Sequence, residues 1–441
     1  MSEKINVVDE LKAVTRKTAA AIHDYLRSIS LPDQDKPILI AGVIIALEDK
    51  DFRETYQGIG RANKFVKDFI EAIENSITNF SGIKESDKEG ILVSFNFVKQ
   101  NKNLNEEEND TIVLKELTQT IEETIYTLAK EYPSYDVIAE FYGEFTKYSS
   151  SDQQSLGIVL TPHHIAEFMS SFLDVKEGDT IVDICCGSGS LLLTAEASDG
   201  SVGNNKVLGV ELNNRMMALC VSNMIIRNID AHLWLGSSWK EDVLAEVKEY
   251  KPTKMILNPP YSQEGYPELG FVKRGLDLLE KGGKAAVIIP MSCAIKQTAE
   301  WKQLRKEILS KHTLLATFSM PDQLFYPVGT VTIVMIFEAG TSNAKNETFF
   351  GYLKDDGFEI TRTEGRKDVS NKWSSIKNEM ISLYENKEAI AGKSALANVD
   401  EKSEWCCEAY METDYSETIT EEAFFESMKA FAMFSLKETE S

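Results

Sequence analysis

Thr180-Ile181-Val182-Asp183-Ile184-Cys185-Cys186-Gly187-Ser188-Gly189-Ser190-Leu191-Leu192-Leu193-Thr194-Ala195 is the stretch on which the fold turns. The apolar run predicts a buried strand, the two glycines a tight turn, and the leucines with Thr194-Ala195 the start of a helix. Such units build open parallel sheets, whose ligands sit at the carboxyl ends of the strands. The third glycine of a dinucleotide fingerprint is absent, because Leu192 holds its place. Asp183 closes the strand beside the turn. A carboxylate there repels a pyrophosphate but suits a cation. S-adenosylmethionine carries an ammonium, a sulfonium and no phosphate, so Asp183, Gly187 and Gly189 are candidate residues for holding it.

Two further strand ends carry chemistry. Val207-Leu208-Gly209-Val210-Glu211 ends in an acid, and Glu211 is placed to accept hydrogen bonds from both ribose hydroxyls. Met255-Ile256-Leu257 leads into Asn258-Pro259-Pro260-Tyr261. Proline has no N–H, so this turn is rich in acceptors. An exocyclic amino group needs that arrangement: its two N–H groups donate to the Asn258 side-chain oxygen and the Pro259 carbonyl, and its ring stacks on Tyr261. With both hydrogens held, the nitrogen lone pair is less delocalised into the ring and is freer to attack. Asn258, Pro259, Pro260 and Tyr261 are the candidate catalytic set, and a methyl donor would meet an amino-bearing ring there.

With these motifs in this order, the chain resembles the N6-adenine DNA methyltransferases, and more narrowly the modification (M) subunit of type I restriction-modification systems. Tyr142-Gly143-Glu144-Phe145 and Gly157-Ile158-Val159-Leu160-Thr161-Pro162 resemble the family's entry to its catalytic domain. The resemblance assigns Thr161 to the cofactor's methionine end. Glu280 to Pro290, Leu304-Arg305-Lys306, Met320 to Phe325 and Gly329 to Phe337 resemble the later steps, ending in a closing hairpin. The family's second aromatic clamp on the flipped base falls at Phe325 or Tyr326. Many relatives place an acid after the third strand. Here Leu235-Gly236-Ser237-Ser238-Trp239 has none, and Ser237 is the remaining candidate acceptor for the cofactor's ring amine. The resemblance implies double-stranded DNA and a specificity (S) subunit as partners, and leaves a restriction (R) subunit open. The same four-residue motif also serves enzymes acting on guanine N2 in RNA or on a glutamine amide in protein. A scaffold that keeps a degenerate pocket is the non-enzymatic alternative.

The net charge is −23, from 47 basic and 70 acidic residues. Phosphate binding draws on Lys and Arg, so an acidic chain is expected to grip DNA weakly unless a partner helps. Six cysteines include two adjacent pairs and no Cys-x-x-Cys, which predicts reduced thiols rather than a disulfide framework or zinc site. The five scattered histidines read as ordinary core or surface residues, with no metal expected. Ile38 to Leu47 is apolar but too short to span a bilayer and reads as a buried helix. With no leader pattern at the amino terminus, a soluble cytoplasmic protein without a membrane partner is expected.

The fold class expected is α/β: a Rossmann-like methyltransferase sheet, an N-terminal helical domain and a C-terminal helical, acidic extension. The expected partition is 1–150 helical, 156–365 catalytic and 368–441 an extension suited to docking a partner subunit. Phe65, Phe69, Ile73 and Ile77, then Leu114, Leu117, Ile121, Ile125 and Leu128, form helical stripes. Asn101 to Asp110 reads as an exposed loop and Ser149 to Ser155 as a linker. Phe349 to Phe358 reads as a further hairpin, Trp373 to Tyr384 as a helix, and Thr420 to Leu436 as an amphipathic helix.

Overall fold

A nine-stranded sheet organises the chain. The computed structural model describes residues 2–105, 107–108, 111–132, 141, 161–200, 202–326, 329–344, 346–361, 365–414, 424–425 and 428–429. The segments 142–145 and 157–160, the expected linker and most of the expected helix over 420–436 lie outside the described residues.

Helices precede the sheet in sequence, among them α1 Ser2–Ser28, α2 Lys36–Glu48, α3 Ala62–Asn79, α4 Glu85–Leu92 and α5 Val113–Ile121. Helix α2 is apolar all round and buried from Lys36 to Leu47, as such a helix must be. The stripe on α3 is buried at Phe65, Phe69, Ile73 and Ile77. Beyond α5 a π turn, Glu122–Tyr126, leads into Thr127–Glu131. The extra residue in that turn slips the stripe: Ala129 is fully buried, and Leu128 only partly. Of the expected exposed loop over 101–110, the described stretch 101–105 differs. Leu104 is fully buried, and Asn101 Oδ1 accepts the backbone N–H groups of Asn103 and Leu104. Asn side chains turn the chain in this way.

The sheet then runs β1 Thr180–Asp183, β2 Lys206–Glu211, β3 Ala231–Leu235, β4 Lys254–Leu257, β5 Lys284–Pro290, β6 Thr313–Ser319, β7 Thr332–Glu338, β8 Thr348–Tyr352 and β9 Ser394–Ala397. Its spatial order is β9-β8-β6-β7-β5-β4-β1-β2-β3. Strands β1 to β5 are parallel; β7 inserts antiparallel between β5 and β6. Helices on both faces cover it: α6 His163–Ser170, α7 Ser190–Glu196, α8 Asn214–Ile226, α9 Glu241–Glu249, α10 Glu268–Leu276, α11 Ala299–Lys311 and α12 Trp373–Asn386. Burial on both faces explains why β4 and β5 read as nearly continuous apolar runs.

Two expectations about the far end are corrected. Phe349 to Phe358 is not a hairpin: β8 pairs parallel with β6 and antiparallel with β9. The local hairpin lies later, between Glu359–Thr361 and Gly365–Lys367. Nor is the described part of 368–441 only helical, since β9 forms the sheet's edge. Trp405 is fully buried there, stacked on the Arg305 guanidinium, which donates to the carbonyls of Ala294, Lys296 and Glu401. A guanidinium with its donors so engaged is the form in which a buried charge is tolerated.

The opposite edge, β3, is latched by the N-terminal helices. Leu233 N–H donates to the Gly82 carbonyl at 2.7 Å, and Leu235 N–H to Asp87 Oδ2 at 3.1 Å. Lys84 pairs with Glu246, Arg215 with Asp35, and Asn214 donates to the Gly90 carbonyl. An exposed strand edge invites unwanted pairing; here the chain covers its own. Among the described residues no helix is long and apolar enough to cross a membrane.

Candidate active site

Strand order reverses between β1 and β4, the position where open α/β sheets leave a crevice for ligands. Val182 pairs with Met255, so Asp183 and Asn258 leave neighbouring strands at the same edge. Asp183 pairs with Gly209 on the other side, which sets Glu211 two residues beyond. The three predicted strand-end residues therefore stand at the carboxyl ends of neighbouring strands.

Asp183 is 1% exposed, and its Oδ1 accepts the Cys185 N–H at 2.8 Å. Burial pushes its carboxyl up to about 8, with the Cys185 N–H opposing and the Glu211 charge adding. Burial likewise raises Glu211. One Glu211 oxygen accepts the Gly187 N–H at 2.9 Å, and the other accepts the Asn213 N–H at 2.7 Å. Each oxygen keeps a second lone pair. Gly187 and Gly189 both have positive φ, 54° and 81°. A Cβ on Gly189 would lie 2.8 Å from Met224 Cε and 2.9 Å from Cys220 Sγ. Only glycine lets the turn approach α8 so closely.

Beyond β4, Asn258 Nδ2 donates to Thr161 Oγ1 at 2.9 Å. The turn ends at Ser262, whose φ is +58°, and Glu268 Oε1 accepts the Ser262 N–H at 2.8 Å. A serine in the left-handed region is strained; the Glu268 carboxylate holds it. The Tyr261 hydroxyl is buried with no hydrogen-bond partner among the described residues. Burial, with Cys293 and Glu268 nearby, raises the phenol and keeps it neutral.

Of the two candidate clamps, Phe325 meets the Tyr261 ring edge to face, with centroids 6.4 Å apart and planes at 86°. Tyr326 is 53% exposed. Ser237 Oγ accepts the Trp239 N–H at 3.2 Å, so its oxygen is partly engaged within its own turn. Sequence reasoning missed two neighbours. Asp87, from α4, brings an acid to the end of β3; no local signal could have placed a residue nearly 150 positions away. Leu212 is 67% exposed beside Glu211; an apolar residue directly after a strand-end acid was a legible signal.

The donor set fits S-adenosylmethionine. A buried carboxylate, Asp183, and a half-buried one, Glu211, stand beside the glycine turn, which suits a cation bearing hydroxyls and not a pyrophosphate.

The N-6 DNA methylase family model matches residues 133–270 and 267–422. The chain belongs to the N-6 DNA methylase family. It is 29% identical over 380 residues to the type II restriction enzyme and methyltransferase RM.BcgI of Heyndrickxia coagulans, covering 81% of this chain and 59% of that protein. It is 26% identical over 359 residues to the type I restriction enzyme MjaVIII methylase subunit of Methanocaldococcus jannaschii, covering 74% of this chain and 60% of the other. The chain thus spans about three fifths of the length of these relatives. Its fold is that of the type I restriction-modification methyltransferase subunit from Streptococcus thermophilus, with a TM-score of 0.60, 16% identity, and coverage of 92% of this chain and 100% of that one. A chain solved in a study of complex assembly in the type I system superposes with a TM-score of 0.65 at 14% identity, covering 97% of each.

Proposed function

We propose that this chain is a site-specific DNA adenine N6-methyltransferase, the modification subunit of a type I-like restriction-modification system. The observation that carries the reading is that Asp183, Glu211 and Asn258 leave the carboxyl ends of neighbouring strands at the switch point. Thr161, Asp183, Gly187, Gly189, Glu211 and Ser237 would hold S-adenosylmethionine, which supplies an electrophilic methyl group when bound. Asp183 offers a carboxylate to its cationic end, and Glu211 keeps lone pairs for the ribose hydroxyls. A target adenine flipped out of the duplex costs a few kcal/mol to unstack. Tyr261 recovers part of that by stacking, its ring steadied by the edge-to-face contact with Phe325. Asn258 Oδ1 and the Pro259 carbonyl accept the two N6 hydrogens and orient the lone pair; positioning of this kind supplies much of the rate gain. The partners are double-stranded DNA, a specificity subunit and, in a restricting assembly, a nuclease subunit. Support for these comes from the relatives' names, which join restriction to modification.

The test maps N6-methyladenine in native cells carrying the wild-type gene, Asn258→Ala or a deletion. Both altered strains should lose methylation at the same sequence motif, while purified Asn258→Ala binds S-adenosylhomocysteine within about threefold of wild type, under 1 kcal/mol. Unchanged methylation in the Asn258→Ala strain rejects the assignment.

A further inference from the structure

The side chains of Thr161 and Asn258 are joined directly, the amide donating from Nδ2 to Oγ1 at 2.9 Å. An asparagine amide has an acceptor end and a donor end. Only with Nδ2 toward Thr161 does Oδ1 stay free to receive an N–H from a substrate amine. A flipped amide would turn its own N–H groups toward those of the amine.

Thr161 is well placed to hold that orientation because the chain just after it is anchored. The Pro162 carbonyl accepts the N–H groups of Ile165 and Ala166, starting α6. His164 Nε2 lies 3.1 Å from Asp356 Oδ2, and its ring stacks on Phe358 with centroids 3.9 Å apart. Asp356 is 1% exposed and takes a two-pronged bond from Arg366 at 2.9 and 2.6 Å. A bidentate guanidinium–carboxylate pair fixes direction as well as distance. The hairpin over 359–367 thereby pins the start of α6, and Thr161 with it.

A hydroxyl has one proton and two lone pairs. If its proton were free, it could donate to a flipped Asn258 Oδ1 as readily as it accepts from Nδ2. The orientation becomes single-valued once the proton is committed to another acceptor. The carboxylate of an amino-acid moiety, the part of the cofactor that Thr161 adjoins in the reading above, is such an acceptor.

We propose that Thr161 is a positioning residue for Asn258, and that an anionic acceptor for its hydroxyl proton locks the carboxamide with Oδ1 toward the substrate amine. The proposal rests on the reading of Asn258 as the acceptor for that amine.

Three variants test it: Thr161→Val, which keeps the shape and removes the hydroxyl, Thr161→Ser, which keeps the hydroxyl, and Asn258→Ala. In protein labelled with [15N]asparagine, the resonances missing from Asn258→Ala identify the Nδ2 pair. That pair should shift on adding S-adenosylhomocysteine in wild type and Thr161→Ser, and should not respond in Thr161→Val. In the native complex at saturating cofactor, Thr161→Val should lower kcat by roughly tenfold or more, the size expected for one lost hydrogen bond in the transition state. Thr161→Ser should restore most of it. A Thr161→Val enzyme with wild-type kcat and only a raised cofactor KM overturns the proposal, as does an Nδ2 pair that behaves as in wild type. Failure of the wild type to methylate DNA would strike the functional reading instead; the resonance comparison needs no DNA and still decides on Thr161.

Discussion

The Glu211 carboxylate accepts the Gly187 N–H at 2.9 Å, so the acid at the end of β2 holds the glycine turn after β1. Its second oxygen holds the Asn213 N–H at the start of α8. One side chain thus ties together the glycine turn, the neighbouring strand and the helix behind it.

Glu211→Ala should therefore act on an empty protein as well as a loaded one. The part-buried Gly187 N–H loses its acceptor, at about 1–3 kcal/mol, while the exposed Asn213 N–H turns to water. Urea unfolding without ligand should show that loss, and calorimetry should show S-adenosylhomocysteine affinity reduced at least tenfold, about 1.4 kcal/mol. Unchanged unfolding would mean that the turn stands without Glu211.

Asp183 makes ligand-free stability depend on pH. Its folded carboxyl is raised to about 8, above the ordinary value of about 3.9. The folded state then binds the proton more tightly than the unfolded chain. That stabilisation is complete below about pH 4 and is lost as pH rises to about 8. Asp183→Asn has no proton to lose, so its urea midpoint should fall less than the wild type's between pH 5 and 8. Parallel curves would contradict the assignment.

Tyr261 and Phe325 meet edge to face, whereas Tyr326 points into solvent exposure. Tyr261→Ala should weaken binding of DNA carrying a flipped or mismatched target by about 1–3 kcal/mol, the range for base–aromatic stacking. Phe325→Ala should weaken it measurably and Tyr326→Ala much less. The order is read by fluorescence of 2-aminopurine at the target position, and a larger effect for Tyr326 would reverse the choice of clamp.

Asp87 reaches the Leu235 N–H from the N-terminal helices. Asp87→Ala should cost about 1–2 kcal/mol, as for a lost hydrogen bond to a charged acceptor. Amide exchange at Leu235 should rise in the variant. Protection equal to wild type would show that the edge strand needs no latch there.

Much of this was legible in consecutive residues. The turn after β1, the acid closing β2 and the Asn258 to Tyr261 turn were each readable, because backbone preference and burial period act over a few positions. The helical stripes were readable for the same reason until the π turn at Glu122–Tyr126 slipped one of them. Phe349 to Phe358 misled because an apolar segment followed by a Gly-containing turn does not say which strand will pair with it.

Local sequence determined which segments are strand, turn and helix, and which side chains stand at the strand ends, since those depend on near neighbours. Only the tertiary structure decided that β9 closes the sheet, that Phe325 rather than Tyr326 meets Tyr261, that Asp87 serves β3, and that Thr161 grips Asn258. Those contacts join residues from dozens of positions to 148 positions apart. Each forms because burying the sheet's two faces and satisfying its backbone groups at the edges leaves few ways to arrange the chain.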